Sequence, residues 1–507
     1  CKSMHVRARS AKWLSGAIAA WTVLRTFADV YTYPVKSVNL ASAYTPSFYV
    51  ALEGSQLAPV TDLHPVHGIQ TSDGGYVLTG KGVEQDGSSI KEAWAVKLNS
   101  AGGFVWAWRS NITGDDAANA VVQLPGNGDL LIAGWRKLGS VGHRSLTKLA
   151  HASGVEIWTG TFGDSASSNG AWEMICLTSD GVVLAGLHQK PSTSEMSFKS
   201  YGNVAEGQAV VMKLPLFAVT SGTPPTAGHA SWVQTFAGFL TSKAARPVTN
   251  AANSNIVVLL YAEVKEKHAT LQMLNSTGST VWGPTDYAST QYEGTDVQAS
   301  ADGASVIVTG QGGTPNTYSA KLTKVQAVDG TRLWTKTYTA GGTPELIFNE
   351  CWGAVVTVDS YVVACGTGIE NCAGTRNTAD CANGIGDNRT GALPRNAGVW
   401  QSLVIRTDTD GNLLWQRVDS YKHPSFPALA SSMPAHRTSS AAEWVVATSD
   451  GGLAVFLDEV NGMGVMKLMP SPTDVGNSSQ KCTQITRELA AKLSAAGHHP
   501  VLCANSP

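Results

Sequence analysis

Charge is scarce in this chain. Lys, Arg, Asp and Glu make up 15% of its 507 residues, against roughly 25% in an average globular protein. The two signs nearly cancel, 36 Lys and Arg against 38 Asp and Glu. No basic stripe stands out, which argues against a nucleic-acid partner. Helical spacing of apolar residues occurs almost nowhere before residue 483. No C-x₂₋₄-C clip is present, so a structural zinc site has no ligand pair to start from. Gly at 52 and Trp at 15 are plentiful, and 43% of residues are hydrophobic. Disorder needs the opposite composition; short strands joined by tight turns fit this one.

The N-terminus has its own pattern. Met4 is followed by His5, Arg7, Arg9 and Lys12, then by the 12-residue apolar run Trp13–Leu24, with no acidic residue before Asp29. A basic start, a short apolar core and the small residue Ala28 read as a secretory signal peptide over residues 1–28. A retained anchor and an organelle transit peptide are the alternatives. The run falls short of the ~20 residues a membrane helix needs, so no transmembrane span is expected in the mature chain. A secreted or cell-surface location follows.

Cysteine usage agrees with export. Beyond Cys1, six cysteines form three local pairs, Cys351 with Cys365, Cys372 with Cys381 and Cys482 with Cys503, and Cys176 is left over in an apolar strand. Such clusters suit disulfides in an oxidising compartment. Asn-x-Ser/Thr sequons at Asn111, Asn275, Asn388 and Asn477 are open to glycosylation in a eukaryotic secretory pathway.

One phrase recurs along the chain: a strand ending in Gly, a variable loop, a strand ending in Leu, a Gly turn, then a Trp strand. The first copy is HGIQTSDGGYVLTG with AWAVKLNSAGGFVWAW, residues 67–80 and 93–108. The marker tryptophans fall at 106, 158, 232, 282, 334 and 415, spaced by 52, 74, 50, 52 and 81 residues. A period near 50 with two insertions fits a four-stranded propeller blade. Alternation within each half has period two: Trp94, Val96 and Leu98 face one way, Ala93, Ala95 and Lys97 the other. The fold class expected is therefore all-β: a seven-bladed β-propeller of four-stranded antiparallel blades over residues 65–469, with a short helical C-terminal tail.

The seventh copy, WVVATSDGGLAVFLDEV with GVMKL, lacks its Trp strand. The N-terminal segment 29–64 contains SFYVALE, Ser47–Glu53, whose alternation makes it the candidate closing strand. After Leu468 the alternation stops; Ile485, Leu489 and Leu493 then mark a short amphipathic helix in a tail, 470–507, braced by Cys482–Cys503. The units resemble the bacterial-type β-propeller repeat and the pyrroloquinoline-quinone-like repeat, best at Asp329-Gly330…Trp334 and Asp410-Gly411…Trp415. That resemblance implies fold and no particular activity.

Two kinds of enzyme share this fold. Quinone-dependent dehydrogenases that resemble these repeats carry eight blades and adjacent cysteines; seven blades and no Cys-Cys pair depart from that pattern. Sialidase-type Ser-x-Asp-x-Gly-x-Thr-Trp boxes are matched only loosely by Thr409–Trp415, where Asp and Gly are adjacent. No cofactor is implied. Asp408, Asp410 and Asn412 offer oxygen ligands for calcium, but a plain hairpin turn is the preferred reading. The repeated tryptophans are read as packing between blades, and His498-His499 as a tail dipeptide.

Loop length is the feature that bears on function. The long connections, Lys81–Glu92, Leu187–Gly207, Thr367–Val399 and Asp419–Ser440, all fall on one propeller face. Variable loops on a rigid scaffold are where such folds bind. His188, Tyr201, Arg389, Arg395 and His423 are the candidate binding residues these loops carry. No catalytic residue is assigned. The chain is expected to be a non-enzymatic extracellular binding or assembly module with a protein or glycan partner, or one that self-assembles; the alternative is a secreted carbohydrate-active enzyme, a glycosidase or lyase.

Overall fold

The structure, a computed structural model, describes residues 45–53, 60–84, 90–110, 112, 114–139, 141–162, 170–188, 208–249, 254–262, 269–287, 292–314, 317–339, 348–369, 399–419, 440–459 and 462–469. The segments expected to form a signal peptide and a tail helix, and the expected pairs Cys372–Cys381 and Cys482–Cys503, lie outside the described residues.

The strands form seven four-stranded antiparallel sheets arranged as a propeller. Blade I comprises β2 (Val60–Gln70), β3 (Tyr76–Glu84), β4 (Lys91–Leu98) and β5 (Phe104–Arg109). Blade II comprises β6 (Asp116–Gln123), β7 (Leu130–Leu138), β8 (Val141–Leu149) and β9 (Glu156–Phe162). Blade III has β10 (Ala171–Thr178), β11 (Gly181–His188), β12 (Gln208–Pro215) and β13 (Trp232–Phe236), with the one-turn helix α1 (Leu216–Thr220) before its last strand. Blade IV has β14 (Phe239–Thr249), β15 (Ser254–Ala262), β16 (Thr270–Leu274) and β17 (Thr280–Asp286). Blade V has β18 (Tyr292–Ala299), β19 (Ser305–Thr314), β20 (Thr317–Gln326) and β21 (Arg332–Tyr338). Blade VI has β22 (Phe348–Val356), β23 (Ser360–Ile369), β24 (Val399–Asp408) and β25 (Leu413–Asp419). Blade VII has β26 (Ser440–Ala447), β27 (Leu453–Glu459) and β28 (Gly462–Met469), and its outermost strand is β1 (Thr45–Glu53). Thus Ser47–Glu53 closes the ring, pairing along β28 from Phe48↔Lys467 to Glu53↔Gly462. β1 thereby covers the edge of β28 that would otherwise stand open to another chain.

Neighbouring blades meet through their first strands, from β6 against β10 round to β26 against β2. The glycine that recurs within the second strands of blades I, II, III and V has a steric cause. A Cβ on Gly80, Gly134, Gly186 or Gly310 would come within 1.8–2.1 Å of the carbonyl oxygen of His64, Ala117, Ala171 or Glu293 on the adjoining first strand. Only a residue without a side chain lets the two backbones approach that closely.

The tryptophans are packing elements between blades. Trp106, Trp158, Trp232 and Trp282 each donate their indole N–H to a backbone carbonyl of the next blade's third-to-fourth connection, at His151, Ser221, Ser276 and Ala327. Where that connection is a tight turn, its glycine lies against the ring: a Cβ on Gly154 would sit 2.6 Å from Trp106. In blade VII, Phe48 takes the Trp place, next to Gly102 of blade I.

Opposite each marker Trp stands a residue of the third strand: Lys97, Lys148, Lys213, Lys324 and Arg406, with Met273 in blade IV and Lys467 opposite Phe48 in blade VII. Most of these cations reach the Asp of their own blade's first turn. Lys97 Nζ donates to Asp73 at 2.9 Å, Lys213 to Asp180 at 2.8 Å and Lys467 to Asp450 at 2.7 Å. These contacts clasp the short-turn face of the ring. The one disulfide among the described residues joins Cys351 and Cys365, directly opposite on β22 and β23 and both fully buried.

Candidate functional site in the central channel

Each first strand runs beside the propeller axis and carries a register shift part-way along. The residues skipped by the ladder are Val66, Asn119, Glu173, Lys243, Thr295, Trp352 and Glu443 in blades I to VII. A bulge re-aims a side chain and often marks a functional position. Asn119, Glu173, Lys243 and Glu443 are nevertheless buried. Asn119 donates to the Trp172 carbonyl at 2.8 Å, and the Lys243 ammonium lies over the Tyr261 ring.

Further along the strands, a second set of side chains fills the axis. Arg246 of β14 donates through Nη2 to Asp296 Oδ1 of β18 at 3.2 Å. Its guanidinium also lies 5.6 Å from the centre of the Trp444 ring on β26. Blades IV and VII are not neighbours in a ring of seven, so Arg246 spans the axis. Asp296 Oδ2 accepts from Gln298 Nε2 at 2.8 Å and from the Ala354 N–H of blade VI at 3.2 Å. All these partners are donors, which suits an ionised carboxylate. Burial pushes the Asp296 carboxyl above its usual range, and Arg246 with the N–H donors acts against that push.

His67 of β2 completes the cluster. Its ring lies 4.4 Å from Trp444, and its Nδ1 accepts the Val121 N–H of blade II at 3.4 Å. Burial, and then Arg246, hold its pKa well below the ordinary imidazole value. From blade III the buried Cys176 feels the charges of Arg246 and Asp296, and burial raises its thiol to about 11, well away from a reactive thiolate. Blades I, II, IV, V, VI and VII thus contribute to one buried polar hub.

Of the sequence-derived candidates, His188 ends β11 opposite Gln208, on the long-loop face. Tyr201, Arg389, Arg395 and His423 lie outside the described residues, as do Asn111, Asn388 and Asn477. Asn275 sits in the third-to-fourth turn of blade IV, and its Oδ1 accepts the N–H groups of Thr277 and Ser279. Asp408 does the same in blade VI, accepting from the Asp410 and Asn412 N–H groups and from Asn412 Nδ2. The donors around Asp408 are N–H groups, where calcium would require oxygen; the trio closes a hairpin.

Sequence reasoning did not single out His67, Arg246, Asp296 or Trp444. The available signal was a charged residue inside an otherwise apolar first strand, as in SKAARPV and YEGTDVQ.

The sequence matches no protein-family model and no curated protein. Among solved structures, the chain is similar to Kuenenia stuttgartiensis hydrazine synthase, with 10% identity and a TM-score of 0.46, over 84% of this chain and 99% of that one. It is also similar to Chaetomium thermophilum Sqt1 bound to the N-terminus of ribosomal protein L10, with 11% identity and a TM-score of 0.41, over 81% and 97% of the two chains. Likeness at these identities concerns the fold alone.

Proposed function

We propose that this chain is a non-enzymatic extracellular binding or assembly module that holds a protein or glycan on its long-loop face. The observation that carries this reading is the hub. A propeller enzyme reacts its substrate in an open polar axial pocket, and here Arg246 spans the axis to Trp444 and Asp296. The opposite face is drawn in by short turns and Lys–Asp contacts, which leaves the long connections as the variable surface. The buried Cys351–Cys365 bridge supports an oxidising compartment.

The test compares the intact protein with a variant whose residues 370–398 are replaced by a short Gly-Ser linker. Each is incubated with native cell-surface and secreted fractions and with a panel of glycans and glycosides. A defined protein or glycan held by the intact chain and lost by an equally stable variant is the expected result. Turnover of a glycoside, or binding that ignores every long-loop replacement, would overturn the reading.

The carbohydrate-active alternative draws on Glu173 and Glu443, buried carboxylates at the same bulge position of blades III and VII. Glycosidases use such a pair. Glycoside hydrolysis abolished by Glu173→Gln or Glu443→Gln would favour it.

A further inference from the structure

Blade I packs on blade VII, the blade in which the first and last described strands pair, and two histidines of β2 sit in that seam. His64 Nδ1 lies 2.9 Å from the Asp458 carboxylate of β27. His67 is 5% exposed and rests on Trp444. Its bond from the Val121 N–H requires the ring nitrogen that bears no proton. From across the axis Arg246 places a cation within its field.

Several charged groups on the packed elements have partners of their own. Asp296 on β18 serves Arg246, Asp458 serves His64, Asp116 on β6 accepts the Ala93 N–H, and Lys467 on β28 reaches Asp450. Glu443 is buried beside Trp444 in sequence, and Lys81 on β3 stands opposite His64 in the ladder.

We propose that the seam between blades I and VII is an acid-sensitive latch, held shut by a neutral His67 and released when that ring takes a second proton. Protonation turns the Nδ1 acceptor into a donor facing the Val121 N–H, and sets a second buried cation near Arg246. An opened seam gives His67 back its ordinary pKa of about 6.5. The folded value is depressed, so the latch is at full strength above that pH and weakens as pH falls below it. The opening equilibrium rises by up to about tenfold per pH unit until the folded-state pKa is reached. A proton on His64 acts the other way, because it adds charge to the contact with Asp458. Asp116, raised to about 6 by burial, and Asp296 also oppose the effect. The test is therefore a difference between variants.

Native-state hydrogen exchange on the full chain at pH 7.5, 6.5, 5.5 and 4.5, corrected for intrinsic rates, reads the seam directly. Protection in β2 and β26 is expected to fall with pH relative to β11 of blade III, by up to tenfold per unit. His67→Gln, whose side-chain oxygen can still accept the Val121 N–H, should lose this dependence, and His64→Gln should keep it. The same pH slope in His67→Gln as in the native chain overturns the latch. Should His67→Gln not fold, the imidazole carbon shifts of the native protein decide. A seam histidine still neutral at pH 5.5 supports the proposal; all twelve histidines titrating near 6.5 refutes it.

Discussion

Replacing Arg246 with Met would leave the fully buried Asp296 carboxylate with neutral donors alone, Gln298 and the Ala354 and Val297 N–H groups. At the 3.2 Å separation of the pair, an effective dielectric of about 20 gives roughly 5 kcal/mol of attraction. Removing one member of a buried ion pair costs about 3–5 kcal/mol in practice, and losing the cation over Trp444 adds about 1 kcal/mol. Asp296→Asn should cost a similar amount, since it strands the guanidinium instead. The double variant removes both charges together and is expected to cost about as much as one single change, which leaves a coupling of about 4–6 kcal/mol. Urea unfolding of all four proteins, followed by tryptophan fluorescence and by circular dichroism, measures this cycle. Costs that add to within about 0.5 kcal/mol would mean that the two side chains act independently, and the axis would then hold no working hub.

Gly330→Ala forces a Cβ to within 2.9 Å of Trp282 at φ +76°, whereas Gly451→Ala has φ +80° and open space around it. Both pay about 1 kcal/mol of backbone strain, and thermal melts should show Gly330→Ala worse by at least as much again. Phe48→Ala removes the ring that fills the Trp place in blade VII; a loss of about 2–3 kcal/mol, with faster proteolysis of β1, is expected in timed digestion. Reduction of Cys351–Cys365 should need unfolding, because both sulfurs are buried; alkylation of the native protein under reductant that labels them would contradict this. Asp73→Asn and Asp450→Asn should each flatten the acid limb of a stability profile below about pH 4. Hydrogen bonds and the clasping lysines hold both carboxyls below their usual range despite some burial, so the stability they give is complete above that pH and lost beneath it.

The blades were legible because a propeller repeats the same strand-and-turn chemistry, and repetition survives large insertions. The Trp spacing, the glycine in YVLTG and LLIAG, and the alternation of SFYVALE each follow from a steric or packing demand that recurs from blade to blade. The clasp was not legible in the same way. Alternation assigned Lys97 a face but no partner, and its ion pair with Asp73 links residues 24 apart whose proximity only the fold supplies. The binding residues were harder still. Tyr201, Arg389, Arg395 and His423 belong to insertions without periodicity, and nothing in their spacing fixes where they stand.

The hub was missed for a deeper reason. Repeat-based reading finds whatever is equivalent under rotation about the axis, and the axis is the one place where equivalence cannot hold. Seven copies of a side chain can ring a channel, but only one guanidinium can span it. Once Arg246 of blade IV does so, the other blades must offer different groups to meet it: a carboxylate from blade V, an aromatic face from blade VII, a neutral imidazole from blade I, a backbone N–H from blade VI to hold the carboxylate. The inner strands therefore diverge in sequence where they converge in space. In a propeller, residues that break the repeat on the first strand of each blade are the ones to examine first, because symmetry has left that position free to differ and the axis has required it to.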